Sequence, residues 1–211
     1  MHAVNEQPLR SLGLDDIVDL RAYERVRDDY RRRVIELKRR RRVGLGPVIS
    51  LVFENAETVR FQIQEMARAE QITTDEGIGD ELDVYNRLLP GDGDLSATLF
   101  IELTSEAELR DWLPRLVGIE RAIGVELSSG EVVTSRPEEA HARALTREEV
   151  TPAVHYVRFG FSPAQIEALA AGPATLVATH PEYEARTPLE EATRAELVGD
   201  LRVPAVLAPL G

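Results

Sequence analysis

Apolar positions recur along this chain with two different periods. Leu20, Tyr23, Val26, Tyr30, Val34 and Leu37 stand three or four residues apart, which predicts an amphipathic helix of about five turns. Asp15 or Asp16 is positioned to cap it, within a structured region that opens at Leu14 to Asp19. The helix ends near Arg39 to Arg42, and Gly44-Leu45-Gly46-Pro47 breaks it. Val48 to Phe53 then reads as a strand. Glu57 to Ile72 reads as a helix with Val59, Ile63 and Met66 on one stripe, although Val59, Phe61 and Ile63 also fit a strand. Ile78, Leu82, Tyr85 and Leu89 make the stripe of a further helix that stops at Pro90-Gly91-Asp92-Gly93. Leu95 to Leu103 is a strand. Thr104-Ser105-Glu106 caps a helix carrying Leu109, Trp112, Leu113 and Leu116, with Pro114 late in it.

The second half is richer in strands. Ala122 to Leu127 and Glu131 to Thr134 flank Ser128-Ser129-Gly130, a hairpin signal. Arg136 to Thr151 is polar and reads as a short helix plus loop. Ala153, His155, Val157, Phe159 and Phe161 alternate on one face of a strand. Ser162-Pro163 starts a helix through Ala171, Ala174 to Thr179 is a strand, and Pro188 to Leu201 is a last helix. The irregular alternation favours an α+β fold: a mixed, mainly antiparallel sheet covered by helices, with a long N-terminal amphipathic helix. The expectation is one domain over 12–201, with flexible termini at 1–11 and 202–211.

Charge is unevenly placed. The 211 residues carry a net charge of -12, which argues against nucleic-acid binding. Yet Arg21 to Arg42 holds eleven basic and four acidic residues, a local +7 against -19 elsewhere. That asymmetry points to an electrostatically steered contact through Arg39, Arg40, Arg41 and Arg42, with an acidic partner or with a second copy of the chain. The plainer reading is a solvated helix. There is no cysteine, so thiolate nucleophiles, zinc fingers and cysteine-ligated iron–sulfur clusters are excluded. Lys38 is the only lysine and stands among arginines, a poor place for Schiff-base chemistry. No stretch reaches the roughly 18 apolar residues of a membrane span, and the start lacks a signal-peptide pattern; a cytoplasmic location is expected.

Phosphate-loop and dinucleotide fingerprints are missing, as are a nucleophile elbow and the HExxH pattern. The densest polar chemistry lies between Phe61 and Pro90. There Gln62, Arg68, Tyr85 and Asn86 border apolar stripes and make a candidate ligand pocket, or else a structural polar network. His155 stands on the apolar face of a strand, where a histidine is either a hydrogen-bonded core residue or a metal ligand. Glu65, Glu70, Glu81 and Glu120 lie near apolar positions; His155 with Glu65 and Glu120 would suit iron or manganese better than copper. His180, before Pro181, reads as a loop residue.

RRVGLGP at Arg41 to Pro47, FENAETVRFQIQEMARAE at Phe53 to Glu70, ELDVYNRLLPGDGDLSAT at Glu81 to Thr98, LVGIE at Leu116 to Glu120 and AVHYVRF at Ala153 to Phe159 resemble a bacterial family catalogued as domain of unknown function 3501. The resemblance covers about residues 12 to 201. It departs after Glu120, where Arg121-Ala122 stands in place of an acidic residue and an arginine. What it implies is association: members tend to be encoded beside a rubrerythrin-like protein and an iron–sulfur oxidoreductase. Three functions then compete. The first is an accessory or partner-binding protein of an iron-dependent redox or peroxide-defence module, docking on a rubrerythrin-like metalloprotein. The second is an iron- or manganese-dependent enzyme using His155 and glutamates. The third is a small-molecule-binding or sensor domain.

Overall fold

The computed structural model describes residues 11–138, 150–202, 207, 208 and 210. Along them run α1 (Leu20–Arg41), β1 (Arg42–Leu45), β2 (Ile49–Glu54), α2 (Ala56–Ala69), α3 (Asp75–Tyr85), β3 (Asp94–Ile101), α4 (Glu106–Arg115), β4 (Ile123–Leu127) and β5 (Val132–Thr134). They are followed by β6 (Arg136–Pro137), β7 (Val154–Gly160), α5 (Pro163–Ala171), β8 (Ala174–His180), β9 (Tyr183–Pro188) and α6 (Glu191–Arg202). The α+β class stands. The sheet, however, is two sheets, ordered β1-β2-β3-β7-β6 and β5-β4-β8-β9, and every pairing in them is antiparallel.

One hydrophobic core lies between the sheets. Leu51, Phe53, Leu95, Ala97, Leu99, Val157 and Phe159 from the larger sheet meet Ile123, Val125, Leu127, Val133, Leu176 and Ala178 from the smaller. These are the alternate residues of strands with one face turned inward. Helices α5 and α6 add Leu169 and Leu197. Tyr183 of β9 ties the sheets at one edge: its hydroxyl donates to the Leu45 carbonyl at 2.5 Å and accepts from Val48 N at 3.3 Å. The β1–β2 turn therefore needs Gly46, whose φ is +69° and whose Cβ would lie 2.5 Å from the Tyr183 hydroxyl.

The outer face of the larger sheet carries Ser50, Glu54, Ser96 and Thr98, all buried, beneath a helical layer in which α2 packs against both α1 and α3. Glu54 accepts hydrogen bonds from Thr58 Oγ1 and from Thr98 Oγ1, the latter at 2.6 Å. Helix α1 buries Tyr23, Tyr30 and Val34 as its periodicity predicts, while Leu37 is half-buried. Its cap is Asp19, which accepts from Ala22 N at 2.9 Å, rather than Asp15 or Asp16. Those two aspartates belong to a short 3-10 turn, Leu14–Asp16.

Two primary amides tether the segment that leads into α1. Asn86 accepts from Leu12 N at 2.8 Å and donates to Leu12 O at 3.0 Å. Gln64, fully buried, treats Val18 in the same way, at 2.8 and 3.1 Å. Each amide thus imitates a strand neighbour for one residue of chain. At the other end Ala208 N donates to Glu57 at 2.7 Å, and Arg60 donates to Ala208 O at 2.6 Å. Of the tail expected to fray, 203–206, 209 and 211 lie outside the described residues.

The arginine run departs furthest from expectation. Arg41 is wholly buried. Its Nε donates to Phe53 O at 2.9 Å, and Nη2 donates to Glu54 O at 3.4 Å. Its guanidinium pairs with Asp200, and with Glu196 at 3.3 Å. Burial pushes the Asp200 carboxyl up, and Arg41 opposes that rise. Arg42 opens β1 and pairs with Glu102 at 2.6 Å, Arg40 pairs with Glu196 at 3.1 Å, and Arg39 stands in water beside Glu36.

Three strands were not anticipated: β1 lies where the sequence reads as the helix end and its Gly44–Pro47 breaker, and β6 and β9 are the others. β9 is a polar edge strand, with only Tyr183 buried, so its period is faint. Pro188 ends that strand instead of opening the last helix. β6 occupies the start of the segment expected to be helix and loop, and residues 139–149 of that segment lie outside the described residues. His180 is not a loop residue but the buried end of β8, its Nε2 3.0 Å from Val117 O.

Arg41→Ala should cost about 3–5 kcal/mol in chemical denaturation, because it strands buried carboxylates and carbonyls. Arg39→Ala, in water, should stay within about 0.5 kcal/mol. Similar losses for both would refute the buried bridge. Asn86→Ala should cost about 1–3 kcal/mol and raise amide exchange at Leu12, since its removal leaves backbone groups unpaired.

Candidate functional site

The residues singled out in sequence as a metal site do not converge. His155 projects with Val157 and Phe159 into the core between the sheets, and its Nε2 lies 2.9 Å from Thr151 Oγ1. Glu65 belongs to the helical layer on the opposite face of the larger sheet. There it receives Arg27 through two hydrogen bonds of 2.7 Å and the Tyr23 hydroxyl at 2.7 Å. Glu120 follows α4, its side chain 3.6 Å from Arg121. Alternation along β7 puts the imidazole on the wrong side of the sheet for Glu65, so this donor set does not fit an iron or manganese ion. No group of three potential ligands occurs among the described residues.

The candidate ligand pocket also divides. Asn86 is committed to Leu12, and Arg68 pairs with Glu24 at 2.5 Å across the α1–α2 contact. Gln62 of α2 and Tyr85 of α3 do stay close enough to interact, and Gln62 opposes the rise that burial imposes on the Tyr85 phenol. Tyr156 of β7 lies within electrostatic reach of both Tyr85 and Glu54. Burial pushes the phenols of Tyr85 and Tyr156 up, so both remain protonated donors at neutral pH. Together these groups form a polar seam under the helical layer.

A more open constellation lies where β3, β7 and β6 run side by side. Asp94 begins β3. Arg158 stands opposite Ser96 on β7, and Arg136 stands opposite Arg158 on β6. Both arginines close on the one carboxylate. Arg136 Nη2 lies 2.8 Å from each Asp94 oxygen, and Arg158 Nη1 lies 3.4 Å from Oδ2. Arg158 is further held by the carbonyls of Arg87 and Leu89, at 2.5 and 3.0 Å. Gly160 makes room, since a Cβ there would sit 3.2 Å from Asp94 Oδ1. Arg121, from the 3-10 turn Ile119–Arg121, completes the wall.

The result is an open cleft of about 500 Å³ lined by Asp94, Arg121, Arg136, Pro137, Glu138 and Arg158. Like charges directly opposite on paired strands are unfavourable. Here two guanidiniums accept that position around one carboxylate, with a third beside them. The side chains of Arg121 and Arg136 are 67% and 62% exposed, so their donors face solvent. Guanidinium forks match carboxylate and phosphate oxygens in pairs. No local signal reveals this cleft, because 42 residues separate Asp94 from Arg136 and only strand register joins them.

Glu65 provides a pH test of its structural role. Hydrogen bonds from Arg27 hold its carboxyl below the ordinary value, against an opposing effect of burial. A folded-state pKa below the unfolded one gives stability that is complete above the unfolded value, about 4.3, and is lost as pH falls through the folded one. Glu65→Gln should therefore cost about 1–2 kcal/mol above pH 5, and the gap to the parent should narrow as acid is added. A gap independent of pH would mean that the charge of Glu65 contributes nothing.

Comparison with known proteins agrees with the fold. The chain is similar to a novel protein of unknown function from Burkholderia pseudomallei K96243. That crystal structure shares 37% sequence identity, covers 90% of this chain and 99% of its own, and superposes with a TM-score of 0.84. No curated protein matches. Residues 11–201 match the family described as Protein of unknown function (DUF3501). With nearly the whole described fold inside that match, the chain belongs to this family.

Proposed function

We propose that this protein works by binding, and that the molecule it holds presents a carboxylate or phosphate group to the cleft of Arg121, Arg136 and Arg158. The observation that carries this reading is the closing of Arg136 and Arg158 on the single carboxylate of Asp94, with Arg121 lining the same cleft and the side chains of Arg121 and Arg136 largely in solvent. An entering anion relieves the repulsion between Arg136 and Arg158, and it can accept paired hydrogen bonds without displacing the backbone contacts that position Arg158. An accessory role in an iron-dependent redox or peroxide-defence module, beside a rubrerythrin-like metalloprotein, belongs to the same proposal. Its support is the gene neighbourhood that the family resemblance implies.

Thermal denaturation in phosphate or citrate, against chloride at equal ionic strength, tests the cleft. Ligand at about 100 times its Kd should stabilise the parent protein by about 2.7 kcal/mol. Arg136→Gln and Arg121→Gln should each remove most of that gain while leaving the fold intact, since both side chains are largely in water. Equal responses from the parent and both variants would sink the proposal.

A further inference from the structure

The helical layer over the larger sheet is electrically two-sided. Helix α3 has five carboxylates in eleven residues, namely Asp75, Glu76, Asp80, Glu81 and Asp83, and no basic residue. None of the five makes an ion pair among the described residues. Burial, then Glu70 and Asp80, push the Glu81 carboxyl up, as expected where negative charge is uncompensated. Helix α1 has the opposite character. Its buried face is spent on Tyr23, Tyr30 and Val34, and Arg27 and Glu24 are engaged with α2. On the side turned away from Tyr23 and Tyr30 are Arg21, Arg25, Arg32 and Arg39, spaced four, seven and seven residues apart. Arg21 and Arg25 have no ion pair among the described residues. Arg32 and Arg39 pair only with Asp29 and Glu36 of their own helix.

Each helix also exposes one large apolar side chain beside its charges, Ile35 at 38% on α1 and Val84 at 58% on α3. Helix α2 packs against both, so the two flank it in one layer. At 1.5 Å per residue the stripe from Arg21 to Arg39 spans about 27 Å, long enough to take the whole of α3, about 16 Å.

We propose that two copies of this chain associate through this layer, with α1 of each copy lying on α3 of the other. A two-fold interface must be self-complementary: each patch meets a different patch on the partner, and the reverse contact comes with it. A face with a basic helix on one side of α2 and an acidic helix on the other meets that requirement. An unrelated acidic protein would satisfy α1 and be repelled by α3, and a basic protein the reverse. Only a surface carrying both signs at this separation neutralises both, and the chain itself is such a surface. Ile35 and Val84, both exposed, add apolar area that such a contact could cover. The interface uses no residue of the Asp94 cleft, so it stands or falls separately from anion binding there.

The test is the mass of the full chain by light scattering and sedimentation, over a concentration series at low and high salt. The expected result is a dimer whose Kd weakens at least tenfold between 20 mM and 500 mM salt. Arg21→Glu with Arg25→Glu in one variant, and Asp80→Arg with Asp83→Arg in another, should each give monomers with unchanged circular dichroism. Mixing the two variants should restore a dimer, because reversed α1 then faces reversed α3 while the untouched pair keeps its native signs. A parent protein that is monomeric at every salt, a dimer indifferent to both reversals, or a mixture that stays monomeric would each overturn the proposal.

Discussion

A single buried guanidinium holds three parts of this fold in register. Arg41 ends α1, takes the carbonyls of Phe53 and Glu54 at the end of β2, and pairs with Asp200 and Glu196 of α6. Burying an arginine is costly unless every direction of its fork finds an acceptor, and here the acceptors come from elements remote in sequence. The bridge therefore forms only when α1, β2 and α6 are all in place. It also satisfies carbonyls at the point where β2 gives way to α2. Docking of the long helix and closure of the chain by its last helix become one event.

The same use of polar side chains as fasteners recurs across the outer face of the larger sheet. Glu54 draws Thr58 of α2 onto Thr98 of β3. Gln64 and Asn86 hold the segment before α1, and Glu65 gathers Arg27 and Tyr23. The sandwich interior is apolar, whereas the interface between sheet and helices is rich in directed bonds. Directed bonds specify position more sharply than apolar contact does, so the layer is rigid against the sheet. A rigid frame suits the Asp94 cleft at the sheet's edge, where strand register alone sets the spacing of Arg136 and Arg158.

Much of the architecture was legible because it follows from periodicity. The apolar spacing of Tyr23, Tyr30 and Val34, the capping boxes at Ser105 and Ser162, and the alternation through His155, Val157 and Phe159 all reflect local rules that tertiary structure obeyed. What escaped was long-range. Arg41 and Arg39 are indistinguishable in composition, and only the arrival of α6 makes one buried and the other wet. Asn86 reads in sequence as the lining of a pocket because an amide beside an apolar stripe implies a partner; the partner proved to be the chain's own backbone, as it is for Gln64. β9, with one buried residue, carried too little apolar signal to register.

The charge pattern is explained in the same way. The excess of cations between Arg21 and Arg42 reads as a docking surface while their partners are out of view. In the folded chain Arg27, Arg40, Arg41 and Arg42 are matched by Glu65, Glu196, Asp200 and Glu102 from elsewhere in the sequence. Internal pairing thus consumes the C-terminal part of the run, and an arginine is available to another molecule only where the fold supplies no carboxylate. That condition is met at Arg21 and Arg25 on α1 among the described residues, while Arg121 and Arg136 at the mouth of the Asp94 cleft are paired but keep most of their side chains in solvent. Recognition is then a consequence of how folding distributes its ion pairs: the chain spends its arginines first on holding helices to the sheet. The places where their forks still face water are where a second molecule can complete what the fold leaves unfinished.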